Sequence, residues 1–360
     1  MADMFEYLKW RGDIPFSQLG INDVDALLLS ALAYIQYDGI ISDEVHFAAP
    51  MRTVAKLLLA MPDADKRCPV PSDLELLKAA AETERFGKMG ITFYQDTFIP
   101  EKETQFAAIT FLADDGSAIL SFRGTDNTLV GWKEDFNMTF QEQVPAQVLA
   151  QSYVQTLAAS FSGPLYLTGH SKGGNLAVFA GAKCDEAVQQ RIIRVYNHDG
   201  PGFTENMMTD PGYLRIVPKV RTLVPQSSVF GMLLQREEDY SVIRSRSVGL
   251  LQHDPYSWEL MGKDFLPAEE LTADSRFLDR TFKTWLAGLT AEERNQFFDS
   301  VFDLLMQENA SRPVDVLRPQ NMLALFKTMQ TDEQRRNLIS SVLLELVESA
   351  KASRAEMAEA

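Results

Sequence analysis

A chain of 360 residues, 46% hydrophobic and 23% charged, holds ample apolar material for a large core, which excludes both a small module and a disordered segment. Its 34 basic residues against 50 acidic ones give a formal charge of −16, which argues against a nucleic-acid surface and against adsorption to anionic membranes, leaving neutral or cationic partners. Cys68 and Cys184 stand far apart without a C-x-x-C partner or clustered histidines, so neither a disulfide framework nor a zinc site is indicated.

The opening MADMFEYLKWRGDIPF lacks a basic region followed by an apolar one, and no apolar run approaches ~18 residues, which reads as a cytoplasmic protein without stable membrane insertion. Asn22 is a plausible N-cap for a helix that carries Val24, Leu27, Leu28, Ala31, Leu32 and Ile35 on one face and stops at Gly39. A second helical stretch spans about Asp73 to Glu84. From Gly90 the texture turns to strands, with an Asp115-Gly116 hairpin turn and a strand ending at Phe122. Alternation follows: helix 143–160, strand 164–168, helix 172–187, then strands 191–197, 219–224 and 240–245.

This alternation implies an α/β fold with a mainly parallel sheet, covered by helices on both faces and binding ligands at the carboxyl ends of its strands. After about Asp264 the strand texture disappears. Two capping-box patterns, Thr290 with Glu293 and Thr331 with Gln334, open helices there, and the final KASRAEMAEA reads as frayed. The expected organisation is a sheet domain with an N-terminal helical segment, 1–263, and a C-terminal helical region, 264–360.

Within YLTGHSKGGNLAVFAG, Ser171 lies between Gly169 and Gly173, after a strand and before a helix. Glycines two positions either side allow a sharp, strained turn that lifts a serine hydroxyl above a sheet. A serine needs a base, an acid that orients the base, and donors for the oxyanion. Four histidines exist. His170 adjoins the serine and would point away from it, and His46 precedes the sheet. His253, after the last strand, is where an α/β-hydrolase sheet delivers its base. The acid is assigned to Asp199 in YNHDGPGF, because the next strand end, LVPQSSVFG, has no carboxylate, Asp254 adjoins the base and Asp239 precedes the last strand. The order Ser171, Asp199, His253 is the α/β-hydrolase order. The amide of Lys172, at a helix N-terminus, and that of Thr125, in LSFRGTDN, are the expected oxyanion donors. Arg123 and Asp126 read as a local ion pair in that loop.

FRGT with Trp132 and Asp135 resembles the oxyanion loop of the class 3 lipase branch of the α/β-hydrolases, and GHSKGG resembles its nucleophile elbow. The resemblance implies an oxyanion hole of Thr125 and the Lys172 amide, with Ser171 acylated. Over nearly the whole chain, YLKWRGDIPF, NDVDALLLSALAY, GHSKGGNLAVFA, NHDGPGF, VPQSSVFGMLL and QHDPYSW resemble blocks of the Mbeg-like group of bacterial α/β-hydrolase-like proteins. Two departures from class 3 lipases stand out. Gln226, Ser227 and Ser228 occupy the strand end where those enzymes carry the acid. Lys172 replaces an apolar residue, which would favour a substrate with a nearby carboxylate or phosphate.

The expected function is a serine esterase or lipase-like hydrolase acting on a small acyl or ester substrate, with no metal or organic cofactor. Residues 229–234 (VFGMLL) and the Met207-Met208 pair would line an acyl pocket or serve as core. Acyl transfer to another acceptor would use the same residues. A non-catalytic protein that binds a partner, or itself, through the C-terminal helices is the alternative, and an exposed stripe of Leu338, Val342 and Leu346 would favour it, whereas a stripe packed against the sheet domain would not.

Overall fold

The computed structural model describes residues 2–45, 47–126, 128–307 and 332–359; His46 and the Thr331 half of the second capping pattern lie outside them. Helices α1 (Met4–Arg11), α2 (Asp23–Leu32), α3 (Met51–Leu59), α4 (Pro71–Glu82) and α5 (Glu84–Gly87) precede most of an eight-stranded sheet. Its strands are β1 (Ala49–Pro50), β2 (Gly90–Ile99), β3 (Thr104–Leu112), β4 (Ala118–Phe122), β5 (Leu165–His170), β6 (Ile192–His198), β7 (Val220–Pro225) and β8 (Tyr240–Ile243). They lie side by side in sequence order. The first four pair antiparallel, and β4 to β8 run parallel.

Between the parallel strands lie α6 (Leu129–Asn137), α7 (Pro145–Ser160), α8 (Lys172–Lys183), α9 (Glu186–Arg191), α10 (Glu205–Met208) and α11 (Pro211–Ile216). Crossovers of one hand that always step to the next strand put their helices on one face. Accordingly α7, α8 and α11 share a core with Leu120, Phe122, Leu165 and Leu167. The opposite face, where Ile109, Phe111 and Ile119 point, would be bare, and α1 to α4 cover it. Alternate residues along each strand thus serve two cores.

Local chemistry sets the element ends. Asn22 caps α2 through a reciprocal box with Asp25, whose carboxylate is also paired with the buried guanidinium of Arg85 at 2.5 Å. The helix ends at Leu32 rather than Gly39, because Tyr34 and Ile35 close tighter turns onto Ala31 and Leu32, and the Tyr37 hydroxyl donates to the Leu32 carbonyl at 2.9 Å. The helix expected over 172–187 divides at Cys184, where Gln189 Nε2 donates to the carbonyls of Gly181 and Ala182. The last strand stops at Ile243, since the Arg244 amide turns to the Leu266 carbonyl. A small pair, β9 (Leu260–Met261) and β10 (Asp264–Phe265), follows.

The C-terminal helices are α12 (Ala273–Gly288), α13 (Ala291–Gln307) and α14 (Glu333–Glu359). Thr290 and Glu293 form the expected capping box, with bonds of 2.8 and 3.2 Å. The segment expected to fray is helical through Glu359. One apolar cluster joins Trp285, Phe297, Phe298, Phe302, Ile339 and Val342 to Leu129 of α6, with Leu338 and Leu346 packed against it. The stripe of Leu338, Val342 and Leu346 is therefore turned inward, and its cover is the neighbouring helices and α6 rather than the sheet. Exposure falls instead on Leu343, Leu344 and Val347. No helix among the described residues is long and apolar enough to cross a membrane.

Candidate active site

Strand β5 ends at His170 and α8 begins at Lys172, leaving Ser171 alone at the corner with φ 58° and ψ −134°. A non-glycine residue there stores roughly 1–3 kcal/mol of strain. The flanking glycines are sterically required. A Cβ on Gly169 would stand 2.1 Å from the Gly173 carbonyl oxygen, and one on Gly173 would stand 2.1 Å from that of Phe122 on β4. The Ser171 amide donates to the His198 carbonyl at 2.9 Å, which pins the corner to β6.

Asp199 follows β6 with φ 55°, is fully buried, and its amide donates to the Leu223 carbonyl of β7 at 2.8 Å. His253 closes a short 3-10 turn, Gly249–His253, and its side chain keeps 22% exposure. His253 Nδ1 lies 2.6 Å from Asp199 Oδ2. The other carboxylate oxygen accepts the Ser228 hydroxyl at 2.5 Å. Because a carboxylate only accepts, Nδ1 of a neutral His253 carries the proton and Nε2 offers a lone pair. That pairing equips the ring to act as a general base. The structure thus brings His253 and Asp199 into contact, while no hydrogen bond joins Ser171 Oγ to His253 among the described residues. Nothing in the sequence marks Ser228 as a contributor: the strand end that lacks a carboxylate supplies a hydroxyl that holds Asp199.

His170 is buried, with its ring tilted 35° against that of His253 at 4.6 Å between centroids and both its nitrogens engaged. His198 lies inside the sheet–α2 layer, 3.3 Å from Ser30 Oγ, and burial pushes its pKa down to about 3.

Beside the elbow, Thr125 is half-buried and its hydroxyl donates to Asp135 Oδ2 at 2.5 Å. Burial pushes the Asp135 carboxyl up to about 6, opposed by the Lys172 charge and by the Thr125 hydroxyl. The Lys172 amide opens the twelve-residue α8. Its side chain overturns the expectation of an anion-seeking group. The ammonium is buried and donates to the Gln105 carbonyl at 2.9 Å, Gln105 Oε1 at 2.8 Å and Glu134 Oε2 at 2.9 Å. A charge so enclosed must be paired, and Glu134 is the partner. The expected Arg123–Asp126 pair is not formed either. Arg123 makes a two-pronged pair with Asp96 at 2.8 and 2.9 Å, and Asp126 instead accepts the Thr128 amide at 2.9 Å.

Phe230 packs on His253 with ring centroids 4.5 Å apart, and Val229 joins Leu250, Phe277 and Leu278 around an open cavity of about 400 Å³. Met207 belongs to the core beneath α8, with Met208 packed on it, and Met232 is buried with Val224 and Leu271. Among the described residues no three His, Cys, Asp or Glu side chains are grouped to hold a metal.

The family model described as Mbeg1-like matches residues 80–303 of the chain. No curated protein matches it. Among solved structures it is similar to the crystal structure of M37 lipase, at 14% identity and a TM-score of 0.37, over 57% of this chain and 68% of that one.

Proposed function

The chain belongs to the Mbeg1-like family, and we propose that it is a serine hydrolase that cleaves an ester or related acyl bond through a Ser171–His253–Asp199 triad. The observation that carries this reading is the 2.6 Å contact of His253 Nδ1 with the buried Asp199 carboxylate, on a fold whose elbow at Ser171 is strained as a nucleophile's would be. Ser171 Oγ attacks the acyl carbon while His253 Nε2 takes its proton. The amides of Thr125 and Lys172 stabilise the oxyanion. Protonated His253 then delivers the proton to the leaving group, and water repeats the sequence on the acyl-enzyme. With the Lys172 charge neutralised by Glu134, a neutral acyl substrate fits better than an anionic one. The sheet domain, 1–263, is the catalytic part in this reading and 264–360 its appendage. The free Cys68 and Cys184 accord with a cytoplasmic setting.

The inward packing of Leu338, Val342 and Leu346 removes the support for partner binding through that stripe. A panel of p-nitrophenyl esters from acetate to palmitate tests the hydrolase reading. Turnover of at least one ester, lost in Ser171→Ala, is expected. Release no faster than that variant's across the panel would count against it.

A further inference from the structure

Tyr34 follows α2, and its hydroxyl stands 3.0 Å from His170 Nδ1 and 3.5 Å from the His170 carbonyl. The same hydroxyl presses on Gly124 of the loop carrying Thr125: a Cβ at Gly124 would come within 2.0 Å of it. On the far side of the ring, His170 Nε2 lies 2.8 Å from the backbone carbonyl of His253. That carbonyl can only accept, so Nε2 holds the proton and Nδ1, in a neutral ring, accepts from Tyr34. Complete burial lowers the His170 pKa well below the ordinary histidine value, which keeps the ring neutral and this polarity fixed.

We propose that Tyr34 and His170 are a pair of positioning residues: through two directed hydrogen bonds and one close approach they tie Thr125's loop, the end of the Ser171 strand and the backbone of His253 into one geometry. The proposal rests on the hydrolase reading and assigns neither residue a proton-transfer role, since both ring nitrogens of His170 are already occupied. The contrast with simple core packing is specific. A packing residue is replaceable by anything of its shape, whereas a positioning donor is replaceable only by another donor at the same point. Glutamine reaches with its Nε2 where the His170 Nε2 stands; phenylalanine fills the space without a donor.

The test is the rate of covalent labelling of the full chain by a fluorophosphonate, measured for wild type, His170→Phe, His170→Gln and Tyr34→Phe alongside their thermal midpoints. A misplacement of the base by a fraction of an ångström to one ångström slows reaction by about 10- to 100-fold, so His170→Phe is expected in that range. His170→Gln is expected to recover most of the loss, and Tyr34→Phe to slow labelling about three- to tenfold. Should His170→Phe fail to fold, Tyr34→Phe, which deletes one oxygen, carries the test. A folded His170→Phe labelled at the wild-type rate, a glutamine variant no faster than the phenylalanine one, or an unaffected Tyr34→Phe would overturn the proposal while leaving the hydrolase reading intact. A folded wild type that is never labelled at Ser171 would overturn both.

Discussion

Lys172 Nζ lies 2.9 Å from Glu134 Oε2, and both side chains are buried, so the first residue of α8 is tied by charge to α6. Glu134 also accepts the amides of Gln105 at 3.0 Å and Ala146 at 2.9 Å. Removing one partner of a buried pair leaves an uncompensated charge. Lys172→Met is therefore expected to lose about 3–5 kcal/mol of stability, and the double variant Lys172→Met/Glu134→Gln to lose less than Lys172→Met alone. Urea unfolding of the four corners of that cycle reads the coupling.

The support under Asp199 is equally specific. Ser228 donates to Asp199 at 2.5 Å, and a hydrogen bond to a charged group is worth about 1.5–3 kcal/mol. Ser228→Ala is expected to lower kcat for an ester substrate by about tenfold or more with little change in KM. Asp199→Asn, which sets the wrong tautomer on His253, is expected to cost about 10⁴-fold. Equal effects on KM and none on kcat would assign Asp199 to substrate binding instead.

Asp135 supplies a pH signature. Burial raises its folded-state pKa to about 6 from an ordinary 3.8, so between those values the folded chain binds more protons than the unfolded one. Its contribution to stability is then fully present below about 4 and is lost as pH rises through about 6. Asp73, also raised to about 6 by burial, acts in the same window and with the same sign. Asp135→Asn is expected to gain in thermal midpoint relative to wild type as pH goes from 4.5 to 7.5, in ~0.5-unit steps. A difference independent of pH would contradict the assignment.

The appendage holds α6 from outside. Phe136 stacks on Phe298 of α13 at 4.6 Å between centroids, and Lys133 bridges Glu103 at 2.7 Å and Asp299 at 2.8 Å. Phe298→Ala is expected to destabilise by about 3–5 kcal/mol and to raise hydrogen exchange in α6 above that in β5. Hydrogen-exchange mass spectrometry over 129–137 reads this directly; protection unchanged there would mean the appendage does not brace α6.

Much of this was legible in the sequence because it is local. The strand before Ser171, the glycines around it, the cap at Asn22 and the Thr290–Glu293 box each declare themselves within a few residues. Contacts between distant segments were not legible. Nothing near Lys172 announces Glu134, thirty-eight positions earlier, and Arg123 passes over nearby Asp126 for Asp96 on β2, across the intervening β3. The sequence around His170 also says nothing of its contacts with Tyr34, 136 positions earlier, and with the His253 carbonyl. Likewise the spacing of Leu338, Val342 and Leu346 marks an apolar face of α14 but not what covers it, and only the assembled chain shows α6 and the neighbouring helices there.

In the proposed mechanism Ser171 is an activated nucleophile served by His253. Intact-mass measurement after fluorophosphonate treatment of wild type, Ser171→Ala and His253→Ala tests it most directly. One adduct per wild-type chain, located on Ser171, is expected, with none on Ser171→Ala and very slow labelling of His253→Ala. A folded wild type without adduct, or one labelled as fast after His253 is removed, would contradict it.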